Sequence, residues 1–195
     1  MIHLGLAIKA LTLHHVGQRM EHKLEPYFVA YVGTEASIRD GRPLVTVSRV
    51  LSGVERERRL EFDGFGLLVF PPLEVGRIAA WHIELWDSDD ASRSAGMVVD
   101  RARKSVNFDS PIVRSLTSLD PRAYLATQAL FAFADRIGAM LRANGDDRMT
   151  EWAGSAPVEE LERIASRPVI RSNGRATVEF RLILTDGPEE TSPVR

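Results

Sequence analysis

Apolar and polar residues alternate at period two through most of the first 90 residues, and this pattern predicts β-strands. The longest candidate strands cover residues 2–13, with an irregularity near Ala10, then 44–50 and 77–86, together with 24–32, which is apolar on both faces. Two shorter candidates are 58–62 and 66–70, and we expect Pro71-Pro72 to end the second of them because proline lacks the ladder N–H. The amino-terminal half therefore predicts a β-rich fold.

Helical spacing replaces the alternation further along the chain. The stretch from Tyr124 to Leu141 is apolar over most of its circumference, which indicates a helix buried on most sides. Residues 157–165 predict a shorter amphipathic helix, with Val158, Leu161 and Ile164 on one side. Strict alternation returns at residues 176–184 and predicts one final strand.

The order of these elements defines the expected fold class. One isolated strand cannot form a sheet of its own, so we expect the final strand to join the strands of the first 90 residues. The prediction is an α+β chain, mainly an antiparallel β-sandwich, with a helical insertion before the last strand. Residues 1–186 would form a single domain with the insertion at about 91–170, and 187–195 a flexible tail.

Composition narrows the function classes. The chain has 195 residues, a formal net charge of −2 and no cysteine. The absence of a basic excess argues against nucleic acid as a partner, and the absence of cysteine excludes thiolate chemistry and disulfides. A cytoplasmic protein is expected. Two adjacent histidines, His14 and His15, point to opposite faces if they lie on a strand. His82 alternates with Trp81 within a predicted strand, so one of these two side chains faces outward. A structural role is favoured for these histidines over metal ligation.

Acidic residues adjoin two of the predicted strands. Glu25 directly precedes the strand that begins at Pro26, whereas Asp87, Asp89 and Asp90 follow the strand that ends at Trp86. If both strands belong to one sandwich, both loops can lie at the same end of it. The four carboxylates would then either bind a cation or repel one another.

These segments resemble the C2 domains, a family of calcium- and phospholipid-binding β-sandwiches. Glu25-Pro26-Tyr27-Phe28-Val29 is similar to the family's Asp-Pro-Tyr-Val, and Trp86-Asp87-Ser88-Asp89 is similar to its aromatic-Asp-x-Asp. The resemblance covers residues 1–90 and 175–186 and implies a C2-like sandwich. It also implies Glu25, Asp87 and Asp89 as weak calcium ligands, to which the adjacent Asp90 adds a fourth candidate carboxylate. The family's other aspartates would fall near Arg19 and Ala95, so the ligand set is incomplete.

The function expected from these features is that of a non-enzymatic binding or adaptor module without strong calcium dependence. It would mediate protein assembly or association with a membrane surface, with a protein partner or further copies of the chain. Phe131 and Phe133, on the long apolar helix, are the candidate interface residues. No catalytic or cofactor-binding residue is assigned. The alternative is a hydrolase or other enzyme with its active site between the helical insertion and the sandwich.

Overall fold

The computed structural model describes residues 2–14, 23–34, 37, 43–88, 97, 123–143 and 145–186. In chain order the strands are β1 (Ile2–Leu13), β2 (Lys23–Leu24), β3 (Pro26–Thr34), β4 (Leu44–Val47), β5 (Val54–Glu55), β6 (Arg59–Glu61), β7 (Leu67–Val75), β8 (Ile78–Asp87), β9 (Asp147–Pro157), β10 (Val169–Ser172) and β11 (Ala176–Asp186). The helices are α1 (Ala123–Ala143), which precedes β9, and α2 (Val158–Ala165), which follows it.

Two antiparallel sheets form the sandwich. The first has the order β10-β11-β1-β6, with β7 also paired to β1, and the second has the order β4-β3-β8-β9. Strands β2 and β5 form a separate two-stranded ribbon. The sequence analysis predicted this α+β sandwich correctly, including the return of the last strand, since β11 pairs with β1 along its whole length. The expected irregularity near Ala10 is a register shift between Ile8 and Ala10.

Apolar side chains fill the space between the sheets. The alternating residues of β1 and β11 contribute Leu4, Leu6, Val178 and Phe180, and the second sheet contributes Phe28 and other residues of β3 and β8. Burying each large side chain of this kind is worth about 1.5–3 kcal/mol. The two sheets are therefore held together by a continuous hydrophobic core.

The second sheet is buried on its other face as well. There α1 packs Leu130, Phe133 and Ile137 against Tyr31 of β3 and Trp86 of β8. This explains why β3 and β8 carry apolar residues on both faces, a pattern typical of strands that are covered on two sides. Among the described residues, no helix has the length and apolar character that crossing a bilayer requires.

Two strand predictions need correction. Strand β7 does not end at Pro71-Pro72 but continues to Val75, and its pairing with β1 shifts register on either side of Leu6. Both prolines are exposed, so the ladder tolerates their missing N–H groups. Residues 147–157 and 169–172, expected within a helical insertion, form the strands β9 and β10.

Candidate functional site

The two acidic loops meet at one end of the second sheet. Pairing between β3 and β8 places Pro26 opposite Asp87, so Glu25 and Asp87 become neighbours. The backbone N–H of Glu25 donates to Asp87 Oδ1 at 2.9 Å, and the N–H of Ser88 donates to the Glu25 carbonyl at 3.3 Å. The structure thus brings together two of the four proposed ligands. Asp89 and Asp90, like Arg19 and Ala95, lie outside the described residues.

Further aspartates, which are not among the four proposed ligands, lie at this end. Asp147 pairs with Asp87 across β8 and β9, and the buried Asp146 accepts a hydrogen bond from the Tyr27 hydroxyl at 3.1 Å. Within the described ranges, no three carboxylates here approach each other closely enough to share an ion. Asp146 and Asp147 follow the helix stop at Gly145, whose φ of 97° favours glycine.

Burial and Asp146 together control the ionisation of Tyr27. Burial of the phenol raises the pKa of Tyr27 well above its usual range, and the nearby Asp146 carboxylate raises it further. The hydroxyl therefore stays protonated and donates to Asp146 at neutral pH. This contact ties β3 to the segment that links α1 with β9.

A second group of ionisable side chains lies on the face of β8 and β9 that α1 covers. We call it the β8–β9 cluster and define it as His82, Glu84, Arg148 and Glu151. Alternation in the sequence suggested that either Trp81 or His82 faces outward, but both are buried because α1 covers the face on which His82 lies. The Phe131 ring packs edge-on against the His82 ring, with centroids 4.6 Å apart.

Glu84 is the centre of the β8–β9 cluster and has no exposed surface. Its Oε2 accepts hydrogen bonds from the Tyr31 hydroxyl at 2.9 Å and the Trp86 indole N–H at 3.1 Å. Its Oε1 accepts one from Arg148 at 3.0 Å. Burial alone would raise the pKa of Glu84, but the His82 ring, Arg148 and Trp86 outweigh it and hold the pKa below its usual range.

A β-bulge places Arg148 in the β8–β9 cluster. The register of β8 against β9 shifts between Leu85 and Trp86, so Arg148 lies opposite Trp86. Without that shift, Arg148 would lie opposite Asp87 and its side chain would point to the other face of the sheet. The bulge is not readable from the sequence, because it depends on a strand that the hydrophobic pattern did not reveal.

The two proposed interface aromatics lie on α1 and contact the second sheet. Phe133 is 4% exposed and packs edge-on against Tyr31, so it belongs to the core of this chain. Phe131 is partly exposed and covers His82. From residue 130 onward, the exposed positions of α1 are alanines and charged residues: Ala132, Asp135, Arg136, Ala139, Arg142 and Ala143.

An exposed aromatic residue lies elsewhere, at the turn between β6 and β7. Phe65 is 84% exposed and is flanked by Gly64 and Gly66, both with positive φ. Two hydrogen bonds hold the turn: Lys9 Nζ donates to the Gly64 carbonyl at 2.6 Å, and the Gly66 N–H donates to the Asp63 carbonyl at 3.0 Å. Glycine is required at position 66 because a Cβ there would collide with the Ile8 carbonyl. Leu68, on β7, is half exposed.

Next to this turn lies a groove with a volume of about 990 Å³, lined by residues from 49–55, 58–63 and 66–68. Its ionisable side chains are of both signs: Arg49, Arg58 and Arg59 are positive, and Glu55, Glu61 and Asp63 are negative. Three positive and three negative groups leave no net charge on the lining. Arg59 bridges Glu61 at 2.9 Å and Glu179 at 2.7 Å.

No protein-family model and no curated protein matches the chain. Among solved structures, it is similar to human GIVD cytosolic phospholipase A2 in complex with methyl gamma-linolenyl fluorophosphonate, at 8% identity and a TM-score of 0.38. That match covers 93% of this chain but only 17% of the phospholipase chain. It is also similar to a Drosophila C2-DSL-EGF1 structure, at 6% identity and a TM-score of 0.44, covering 94% of this chain and 67% of that one.

The architecture itself agrees with the C2-like fold predicted from the sequence. Two antiparallel sheets face each other, and the two strands that carry the motifs are neighbours in one sheet. Their acidic loops therefore lie at the same end. The similarities to solved structures carry no conclusion about function.

Proposed function

We propose that this chain is a non-enzymatic, C2-like module that binds another protein through the Phe65 turn and the adjacent groove. The observation that carries the proposal is Phe65, a large apolar side chain that is 84% exposed on a turn held by the Lys9–Gly64 and Gly66–Asp63 hydrogen bonds. Aromatic and arginine side chains dominate the binding energy of protein interfaces. A rigid turn also reduces the entropy lost on binding.

The charges of the groove favour a protein over an anionic membrane. Attraction to anionic lipid requires an excess of lysine and arginine near the surface, at about 1 kcal/mol for each residue. The groove instead has equal numbers of positive and negative groups, and Arg59 is already paired with two glutamates. A partner with an apolar pocket for Phe65 and interspersed charges around it fits this surface.

The β8–β9 cluster lies where the alternative, an enzyme, would have its active site. A general acid or base must reach the substrate directly or through one water. Glu84 has no exposed surface, and both of its oxygens accept hydrogen bonds from Tyr31, Trp86 and Arg148. This arrangement supports a binding function over hydrolysis.

The proposal is tested with Phe65→Ser and a matched control, Ile170→Ser. Ile170 is 59% exposed on β10, which β1 and β11 separate from β6. Proteins captured by the tagged chain are identified and quantified. The captured partner is then purified and titrated calorimetrically against the unmodified chain, Phe65→Ser and Ile170→Ser. We expect Phe65→Ser to weaken binding at least about tenfold, equivalent to about 1.4 kcal/mol, and Ile170→Ser to leave it unchanged.

Two further measurements test whether the surface instead binds a second copy of the chain or a membrane. Sedimentation velocity over a range of concentrations tests self-association, which would identify a second copy as the partner. Co-sedimentation with phosphatidylcholine vesicles containing phosphatidylserine tests a membrane. Vesicle binding that Phe65→Ser abolishes and Ile170→Ser preserves would overturn the proposal in favour of a lipid surface.

We further propose that calcium does not stabilise the chain strongly. Calcium takes six to eight oxygen ligands, and Asp87 Oδ1 already accepts the Glu25 N–H. A ligand at 100 times its dissociation constant stabilises by about 2.7 kcal/mol, which for a chain of this size raises the melting temperature by about 5–10 °C. We expect millimolar calcium to raise it by less than about 2 °C. A larger rise that Asp87→Asn abolishes would contradict the proposal.

A further inference from the structure

Two carboxylates stand directly opposite each other in the β8–β9 cluster. Glu84 of β8 and Glu151 of β9 are paired residues in the antiparallel ladder. Like charges in that position destabilise a sheet, so the fold must place a positive charge between them. Arg148 supplies one, with Nη1 at 3.0 Å from Glu84 Oε1 and 2.8 Å from Glu151 Oε2.

His82 points at the same two carboxylates. Its Nε2 lies 3.5 Å from Glu84 Oε1 and 3.5 Å from Glu151 Oε2. The His82 side chain is fully buried, yet neither ring nitrogen has a hydrogen-bond partner in the part of the chain that the structure describes. At 3.5 Å, Nε2 is within ion-pair distance of both carboxylates but beyond a normal hydrogen bond. A buried polar group without a hydrogen bond is costly, and its presence in a native fold calls for a reason.

The two distances from His82 Nε2 match those in a tetrahedral zinc site, and all three donor atoms lie within 4.8 Å of one another. Zinc binds histidine nitrogen and carboxylate oxygen at about 2.0–2.2 Å, so neighbouring ligand atoms of a tetrahedron lie about 3.4 Å apart. Both distances from His82 Nε2 are 3.5 Å. We propose that His82, Glu84 and Glu151 bind a Zn²⁺ ion at the interface between β8 and β9.

The surroundings of Glu84 support this assignment. Tyr31 and Trp86 hold Oε2, which fixes the carboxylate and leaves Oε1 directed toward His82 and Glu151. Outer hydrogen bonds of this kind orient the ligands in metal sites. Three protein ligands leave the fourth tetrahedral position for water or for a donor atom of a bound partner.

Arg148 competes with the metal for the same oxygens. Its side chain is 29% exposed and that of Glu151 is 41% exposed, so the guanidinium can extend toward solvent while the ion enters beside Glu151. Zinc then replaces one positive charge by two between the facing carboxylates. Removing Arg148 should therefore strengthen zinc binding. If the cluster is only an ion pair between Arg148 and the two glutamates, neither the unmodified chain nor the variant should bind zinc.

Zinc binding is measured by titration calorimetry of the chelator-treated protein with zinc chloride. We expect one ion per chain, and Glu151→Gln should weaken binding at least about tenfold, the lower end of the losses that even outer-shell changes cause. The matched control is Glu160→Gln on α2, because Glu160 also forms an exposed i,i+3 pair, with Arg163 at 3.1 Å. His14→Asn controls for zinc bound by the histidines near the amino terminus.

Two further readouts keep the test decisive. Arg148→Ala should bind zinc more tightly than the unmodified chain, and Co²⁺ should give the visible absorption bands of a tetrahedral site, which Glu151→Gln abolishes. Circular dichroism checks that each variant is folded. The proposal is overturned if neither the unmodified chain nor Arg148→Ala takes up zinc, or if Glu151→Gln and the unmodified chain bind it equally.

Discussion

At the residue scale, burial at a single position depends on what covers the sheet. Alternation in β8 indicated that one of Trp81 and His82 faces outward, yet both are buried. Alternation separates the two faces of a strand, but it does not reveal whether a helix covers the second face. From the sequence alone, the polar residues of β8 are therefore expected on the surface. That Glu84 is buried at the centre of the β8–β9 cluster follows only from the position of α1.

Tyr27 gives a prediction about alkaline pH. Burial and the Asp146 carboxylate raise the pKa of Tyr27, whereas an unfolded tyrosine titrates near 10. The folded state then holds a proton that the unfolded state loses, so this contribution is complete below about pH 10 and is lost as the pH rises further. Above about pH 10, Tyr27 therefore lowers the free energy of unfolding by up to about 1.4 kcal/mol for each further pH unit.

Urea unfolding between pH 8 and pH 11 measures this effect. Above pH 10, Tyr27→Phe should make the free energy of unfolding fall less steeply with pH, by the equivalent of about one bound proton. Below pH 9 the variant should run parallel to the unmodified chain, which serves as the internal control. An unchanged alkaline slope would show that the Tyr27 hydroxyl ionises in the folded protein as it does in the unfolded one.

At the element scale, strands with a strong hydrophobic pattern were predictable and β9 was not. Residues 147–157 contain a single β-branched residue, Thr150, and only Met149 and Trp152 as large apolar side chains. This strand is at the edge of its sheet, where β8 and α1 supply the packing that its own sequence does not indicate. The proximity of Glu25 and Asp87 was predictable because both adjoin predicted strands, β3 and β8. The β8–β9 cluster was not predictable, because Arg148 and Glu151 lie on β9.

The pairing of β9 with β8 also depends on one glycine. Gly154 lies opposite Trp81, and a Cβ at that position would lie 2.7 Å from the indole ring. Gly154→Ala should destabilise the chain by about 1–3 kcal/mol, because the ring must move within a packed core. Gly174→Ala is the control, since an added Cβ there meets nothing within 4 Å. Equal midpoints of urea unfolding for the two variants would contradict the prediction.

At the scale of the whole molecule, the sandwich was predictable because the distant ends of the chain carry matching patterns. β1 and β11 both alternate, and they pair over the full length of β11 although more than 160 residues of sequence separate their ends. A strand with one apolar face must bury it against another layer, and only the early strands offered one. The position of α1 on the outer face was not predictable, since the sequence does not show which of two apolar surfaces a helix covers.

The last strand should therefore be indispensable to folding. Strand β11 lies between β1 and β10 and buries Val178, Phe180 and Leu182. Together these side chains contribute about 5–9 kcal/mol, comparable to the entire stability of a typical domain. Deleting residues 176–195 should give an insoluble or unfolded chain, measured by circular dichroism and thermal unfolding. Deleting only 187–195, which leaves β11 complete, is the control and should preserve cooperative unfolding. A monomeric, cooperatively folded chain that ends at residue 175 would show that β1 finds sufficient pairing in β6 and β7 alone.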